Sequence, residues 1–152
     1  MEGKGAAGVA GYEFDMLEIL SDMQTLIAPD SQVAWAMKNA RTESIVLHTR
    51  QLCELFLSLS REDDNAKLAD LVEDNQQSSE LKRLIEELRE KYGKRDDEDS
   101  PRRIFNKMLL HPTKLRVNGY NYQPELDKLR PLLVAIMAEI ESVRGKFPRF
   151  SD

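Results

Sequence analysis

From Ser31 to Ser60 the chain reads SQVAWAMKNARTESIVLHTRQLCELFLSLS, thirty residues without a proline or a glycine. Pro29 stands just ahead of it, and Asp30 or Ser31 supplies a side-chain oxygen to cap a helix start. The spacing predicts one long helix running to about Ser60. Its second half is apolar on nearly every side: Ile45, Val46, Leu47, then Leu52, Cys53, Leu55, Phe56. A helix apolar all round needs neighbours all round, which places this one in the middle of a helical bundle.

The rest of the chain supplies those neighbours. Between Tyr12 and Ile27, Phe14, Met16, Leu17, Leu20, Met23 and Leu26 recur mostly at three- and four-residue steps, an amphipathic helix stopped by Pro29. Residues 1–11 (MEGKGAAGVAG) carry no period of large apolar side chains and read as a flexible tail. They match the letters GxGxxG, but no strand precedes them, so no dinucleotide site is expected there. A short helix is expected over Ala66–Asp74, and another from Ser78 or Ser79 to about Tyr92, with Leu81, Leu84 and Leu88 inward. Residues 93–100 (GKRDDEDS) form a solvated acidic loop without the glycine and distant glutamate of a calcium loop.

Ser100-Pro101 starts a helix that ends near His111, because Pro112 disfavours helix at the residue before it. A turn follows at Asn118-Gly119. Pro124 opens the last helix, which Pro131 is expected to kink or to split at Arg130. No segment alternates as a strand does. The fold class is all-α, an up-and-down bundle of about five helices with a long central second helix. Residues 12–147 are its single domain and 148–152 a second tail.

Composition narrows the function classes. The 152 residues are 41% hydrophobic and 32% charged, with a net charge of −5. That is enough apolar material for a core and too little disorder-promoting sequence for a linker. The longest apolar run, Leu132–Ala138, is far shorter than the roughly 20 residues that cross a bilayer. No apolar leader opens the chain, so a cytoplasmic protein without a membrane role is expected. The lone Cys53 excludes an intrachain disulfide and a cysteine zinc site, and reads as a packed core thiol.

Two histidines carry the candidate chemistry. His48-Thr49-Arg50-Gln51 is a polar island in the central helix, and such groups must find partners or border a wet cleft. Arg41, Ser44 and His48 share one helix face, so Arg41 can extend a cationic stripe. His111 ends its helix inside a basic cluster: residues 102–116 hold Arg102, Arg103, Lys107, Lys114 and Arg116 and no acid. Such a cluster attracts phosphate, or neutralises the acidic middle of the same chain. An imidazole there can act as general acid or base. Asn106, Thr113, Arg103 and Lys107 are candidate binding residues beside it. Trp35, Tyr120 and Tyr122 could stack on bases, although a buried tryptophan and turn tyrosines are more often structural. A metal site is not expected, because no acidic residue stands three before His111, and Glu43 and His48 are five apart.

Two of these segments, Glu43-Ser44-Ile45-Val46-Leu47-His48-Thr49-Arg50-Gln51-Leu52 and Ile104-Phe105-Asn106-Lys107-Met108-Leu109-Leu110-His111-Pro112-Thr113, resemble short bacterial proteins of the HEPN-like kind. The resemblance implies a small helical bundle, often dimeric, that is either a metal-independent ribonuclease of toxin–antitoxin or phage-defence systems or an inactive binding module. Active members carry an arginine, four to six intervening residues, and a histidine. Here Asn106 and Ile104 stand four and six intervening residues before His111, and Arg103 stands seven before it. Arg41 and His48 have six between them, but both lie inside the long helix.

The reading that follows is an interaction or regulatory module, a homodimer or the partner of another protein or RNA, with no cofactor. The alternative is an endoribonuclease in which His111 and His48 transfer protons and Arg50 or Arg116 stabilises the charged phosphorane. That alternative requires both imidazoles to meet in one positively charged hollow.

Overall fold

The structure is a computed structural model and describes residues 2–22, 31–62, 65–110 and 120–148, with side chains from residue 5 onward except 108–110. Among the described residues six α-helices follow one another: α1 (Glu2–Asp22), α2 (Gln32–Phe56), α3 (Leu68–Leu71), α4 (Ser79–Tyr92), α5 (Pro101–Leu110) and α6 (Gln123–Arg144). A single 3₁₀ turn, Asp74–Gln76, lies between α3 and α4. No strand occurs among the described residues, so the all-α bundle expected from the sequence is the fold.

Serines start three of these helices. Ser31 Oγ accepts the Ala34 N–H at 3.0 Å, Ser78 Oγ that of Leu81 at 2.9 Å, and Ser100 Oγ that of Arg103 at 3.1 Å. Each satisfies one amide that the first turn would otherwise leave unbonded. The central helix α2 touches α1, α4, α5 and α6, and buries Val46, Leu52, Cys53, Leu55 and Phe56. The burial is not all round: Leu47 is 38% exposed, and Val33 and Met37 more so, so α2 is covered on the side of these contacts and open on another.

α2 stops at Phe56, ahead of the expected Ser60, for a local reason. Ser58 takes φ +51°, while Leu59 N–H bonds Glu54 O at 3.0 Å and Ser58 N–H bonds Leu55 O at 3.1 Å. That pair of bonds is a Schellman turn, with serine where glycine is usual. The expected helix over Ala66–Asp74 is shorter, confined to Leu68–Leu71 and the 3₁₀ turn. The last helix runs unbroken through Pro131, so no split occurs at Arg130. Pro131 and Asp127 are both exposed, so the position where proline removes a backbone donor lies on the outer side of this helix.

The flexible tail expected over residues 1–11 is instead the first half of α1. Ala6, Ala7 and Ala10 are 5%, 3% and 0% exposed. Their small side chains let this helix approach its neighbours closely, a burial that needs no large apolar residue. The closest approach is at Gly11, where a Cβ would lie 2.3 Å from the Pro148 carbonyl oxygen. The segment after α6 therefore crosses α1, and it is anchored by Phe147, 1% exposed, with the Arg144 guanidinium 4.8 Å from its ring centre. The tail expected from residue 148 lies outside the described residues beyond Pro148.

Candidate functional site

His48 lies on α2 against α1. Its Nδ1–H donates to Glu13 Oε2 at 2.6 Å, and the Tyr12 ring meets the imidazole edge-on at 5.9 Å and 77°. The side chains of His48 and Glu13 are 9% and 14% exposed. Water thus reaches this pair poorly, and the bond holds two helices together at a point where both partners would be costly to leave alone.

The other members of the polar island are satisfied locally. Thr49 Oγ1 donates to Ile45 O at 2.8 Å, Arg50 Nε donates to Glu54 Oε1 at 3.0 Å, and Gln51 is exposed. Arg41 shares the α1-facing side of α2 with His48, as the helical spacing predicts. It does not form a cationic stripe beside the imidazole. Its Nε donates to Leu20 O, and its Nη2 donates to Ser21 O at 2.6 Å. A cation on the last carbonyls of a helix is favourable to the helix dipole, so Arg41 serves as a C-terminal cap for α1.

The described part of the basic cluster turns toward the acidic loop. Arg103 Nη2 and Lys107 Nζ lie 3.9 and 3.5 Å from Glu98 Oε1. Two cations on one carboxylate favour the neutralising role. Asn106 is half-buried beside them. The Nε atoms of Arg102 and Arg103 are buried and lack a hydrogen-bond partner. His111, Thr113 and Arg116 lie outside the described residues.

A second polar contact sits at the start of α6. Tyr120 Oη donates to Glu125 Oε1 at 2.7 Å, while Glu125 Oε2 is buried without a hydrogen-bond partner. Desolvation, then the bond to Glu125, pushes the Tyr120 phenol up to about 12. The Tyr120 ring meets Tyr122 edge-on at 5.2 Å, and Tyr122 in turn neighbours Phe105 at 6.2 Å. These rings belong to the core, not to a stacking platform. Trp35 is the reverse of the buried tryptophan expected: it is 69% exposed. Burial pushes the Cys53 thiol well up, which fits an inert core residue.

Sequence reasoning overlooked Glu13 and Tyr12, the residues that hold His48. Nothing local marks them, since Glu13 is 35 residues from its partner. It also overlooked a surface. Val9, Tyr12, Met16 and Ile19 on α1 step by three and four residues, as do Val33, Met37, Ala40, Ser44, Leu47 and Gln51 on α2. Met16 and Ser44 in these rows are half-buried and the other eight positions are exposed, so the rows form a surface face. Nine large apolar side chains are exposed among the described residues, and six of them (Val9, Tyr12, Ile19, Val33, Met37, Leu47) fall on this face. At one end of it Val9 and Gln51 line a shallow groove of about 100 Å³ with Glu54 and Asn65.

Among the described residues, no three His, Cys, Asp or Glu side chains are grouped to hold a metal, and no helix is long and apolar enough to cross a membrane. No protein family, curated sequence or solved structure matches the chain.

Proposed function

We propose that this protein is a HEPN-like helical bundle that works in the cytoplasm as an interaction or regulatory module, binding through the outer face of α1 and α2. One observation carries this reading: in a chain that is 32% charged, the ten positions of that face include no charged residue, and six of them expose large apolar side chains. A contiguous apolar patch of that kind is the mark of a protein–protein contact. The fates of Arg41, Arg50 and His48 agree with it, because each is engaged inside the fold.

The second reading, a metal-independent endoribonuclease, draws on one feature. A carboxylate on Nδ1 fixes the imidazole tautomer and leaves Nε2 as the base, an arrangement shared with general-base histidines. In that reading His48 and His111 transfer the protons, and Arg50 or Arg116 stabilises the phosphorane. Incubating purified protein with labelled single-stranded and hairpin RNA separates the two. The module reading expects intact RNA. Cleavage that disappears in His111→Ala would establish the nuclease.

A further inference from the structure

We infer that a small, singly charged oxyanion binds where α2, α4 and α5 meet, held by the Tyr92 hydroxyl and the guanidinium groups of Arg50 and Arg102. The site is separate from the outer face of α1 and α2 and does not depend on what that face contacts.

Tyr92 is the last residue of α4 and is 0% exposed. Its ring lies 6.4 Å from that of Phe105 on α5, and the Cys53 side of α2 is equally dry. The hydroxyl at the tip of the ring is buried and has no hydrogen-bond partner. Such a group costs stability unless something accepts its proton. Burial pushes this phenol well up, so it keeps its proton and is a donor.

Three charged side chains act on that hydroxyl: Glu54 and Arg50 from α2, and Arg102 from α5. Two cations and one anion leave one positive charge in surplus. Arg50 Nε donates to Glu54 Oε1 at 3.0 Å, a bond that does not engage its Nη groups. Arg102 Nε is buried and, like the phenol, lacks a hydrogen-bond partner. The side chains of Arg50 and Glu54 are 16% and 24% exposed, so this is the edge at which water and a small ion reach the site.

The groups left over are all donors, and the surplus charge is positive. A buried water accepts from two of them and leaves the charge unpaired, the costlier deficit in a dry site. An oxyanion accepts from the phenol and both guanidinium groups and cancels the surplus. Guanidinium donors match the oxygens of carboxylates and phosphates. One surplus charge selects a carboxylate or a singly ionised phosphate.

The test is thermal unfolding of the purified full chain in rising sodium phosphate or sodium acetate, against sodium chloride of equal ionic strength. Tyr92→Phe and Arg102→Gln remove donors from the site. Arg83→Gln removes an exposed arginine on α4 that pairs with Glu80 and Glu87. An ion that binds only the folded chain raises the melting temperature with the logarithm of its concentration. The expected result is such a rise in wild type and Arg83→Gln, in at least one of the two salts. In Tyr92→Phe and Arg102→Gln the same rise should need at least about tenfold more ion, the ratio for one lost hydrogen bond to a charged group. In chloride alone Tyr92→Phe should melt no lower than wild type, because it deletes a hydroxyl that has no partner. Tyr92→Phe, the smaller change, decides the outcome if Arg102→Gln fails to fold. A wild type that melts alike in all three salts would overturn this inference. So would a rise shared equally by the site variants, which is a general salt effect. A Tyr92→Phe that melts lower than wild type in chloride assigns the hydroxyl to a structural water and overturns it as well.

Discussion

Removing the His48 imidazole tests whether that side chain is a strut or a reagent. In His48→Ala the α2 helix loses its bond to Glu13 at 2.6 Å and its edge contact with Tyr12 at 5.9 Å. A hydrogen bond to a charged group contributes about 1.5–3 kcal/mol. Glu13 is 14% exposed and regains some hydration, so the lower half of that range applies. The ring contact adds about 1 kcal/mol. The expected destabilisation is about 3 kcal/mol, or about 6–12 °C in the melting temperature of a chain this long. Thermal unfolding of His48→Ala, Glu13→Gln and the double variant completes a cycle, with a coupling of about 1–2 kcal/mol expected between the two sites. His48→Gln retains a donor and should recover part of the loss. A melting temperature within about 1 °C of wild type, or additive single effects, would refute the interhelical clamp.

Further outcomes follow from the same packing. Gly11→Ala drives a methyl group into the Pro148 carbonyl, so the C-terminal crossing must shift; a loss of about 1–3 kcal/mol is expected, with faster amide exchange at residues 145–147 by mass spectrometry. Ser58→Gly relieves a left-handed serine in the turn after α2 and should stabilise by about 1 kcal/mol in chemical denaturation, lowered slightly by loss of the 3.3 Å bond from Leu68 N–H to Ser58 Oγ. Tyr120, held up to about 12, keeps its proton in the fold above the pH at which an unfolded tyrosine near 10 loses it. Its contribution is therefore fully present below pH 10 and lost as pH rises toward 12, and Tyr120→Phe should flatten that part of the stability profile.

Much of this architecture is written locally. The uninterrupted stretch after Ser31 gives α2, and Ser31, Ser78 and Ser100 mark helix starts because capping is decided within one turn. The first half of α1 is hidden for the opposite reason. Ala6, Ala7, Ala10 and Gly11 bury a helix by closeness of approach, and a pattern search for large apolar residues passes over them. The end of α2 is hidden too, because Ser58 does the work usually given to glycine.

The site was legible only by residue type. His48 was singled out correctly as a polar group needing a partner, but the partner sits on another helix and is chosen by tertiary packing. Arg41 shows the same limit. Its place on the α1 side follows from helical spacing, while its bonds to the Leu20 and Ser21 carbonyls depend on where α1 ends. The exposed rows on α1 and α2 were readable as periodic in principle. Met16 and Leu47 fall within patterns that read as core-facing, because a sequence shows period without showing which face is covered.

The most direct test of the central claim is RNA integrity after incubation with the purified wild-type protein, His48→Ala and His111→Ala, with and without a chelator. An interaction module leaves the RNA intact in every arm, while His48→Ala melts earlier than wild type. Chelator-resistant cleavage by the wild type that is abolished in both histidine variants, with His48→Ala still folded, would contradict it.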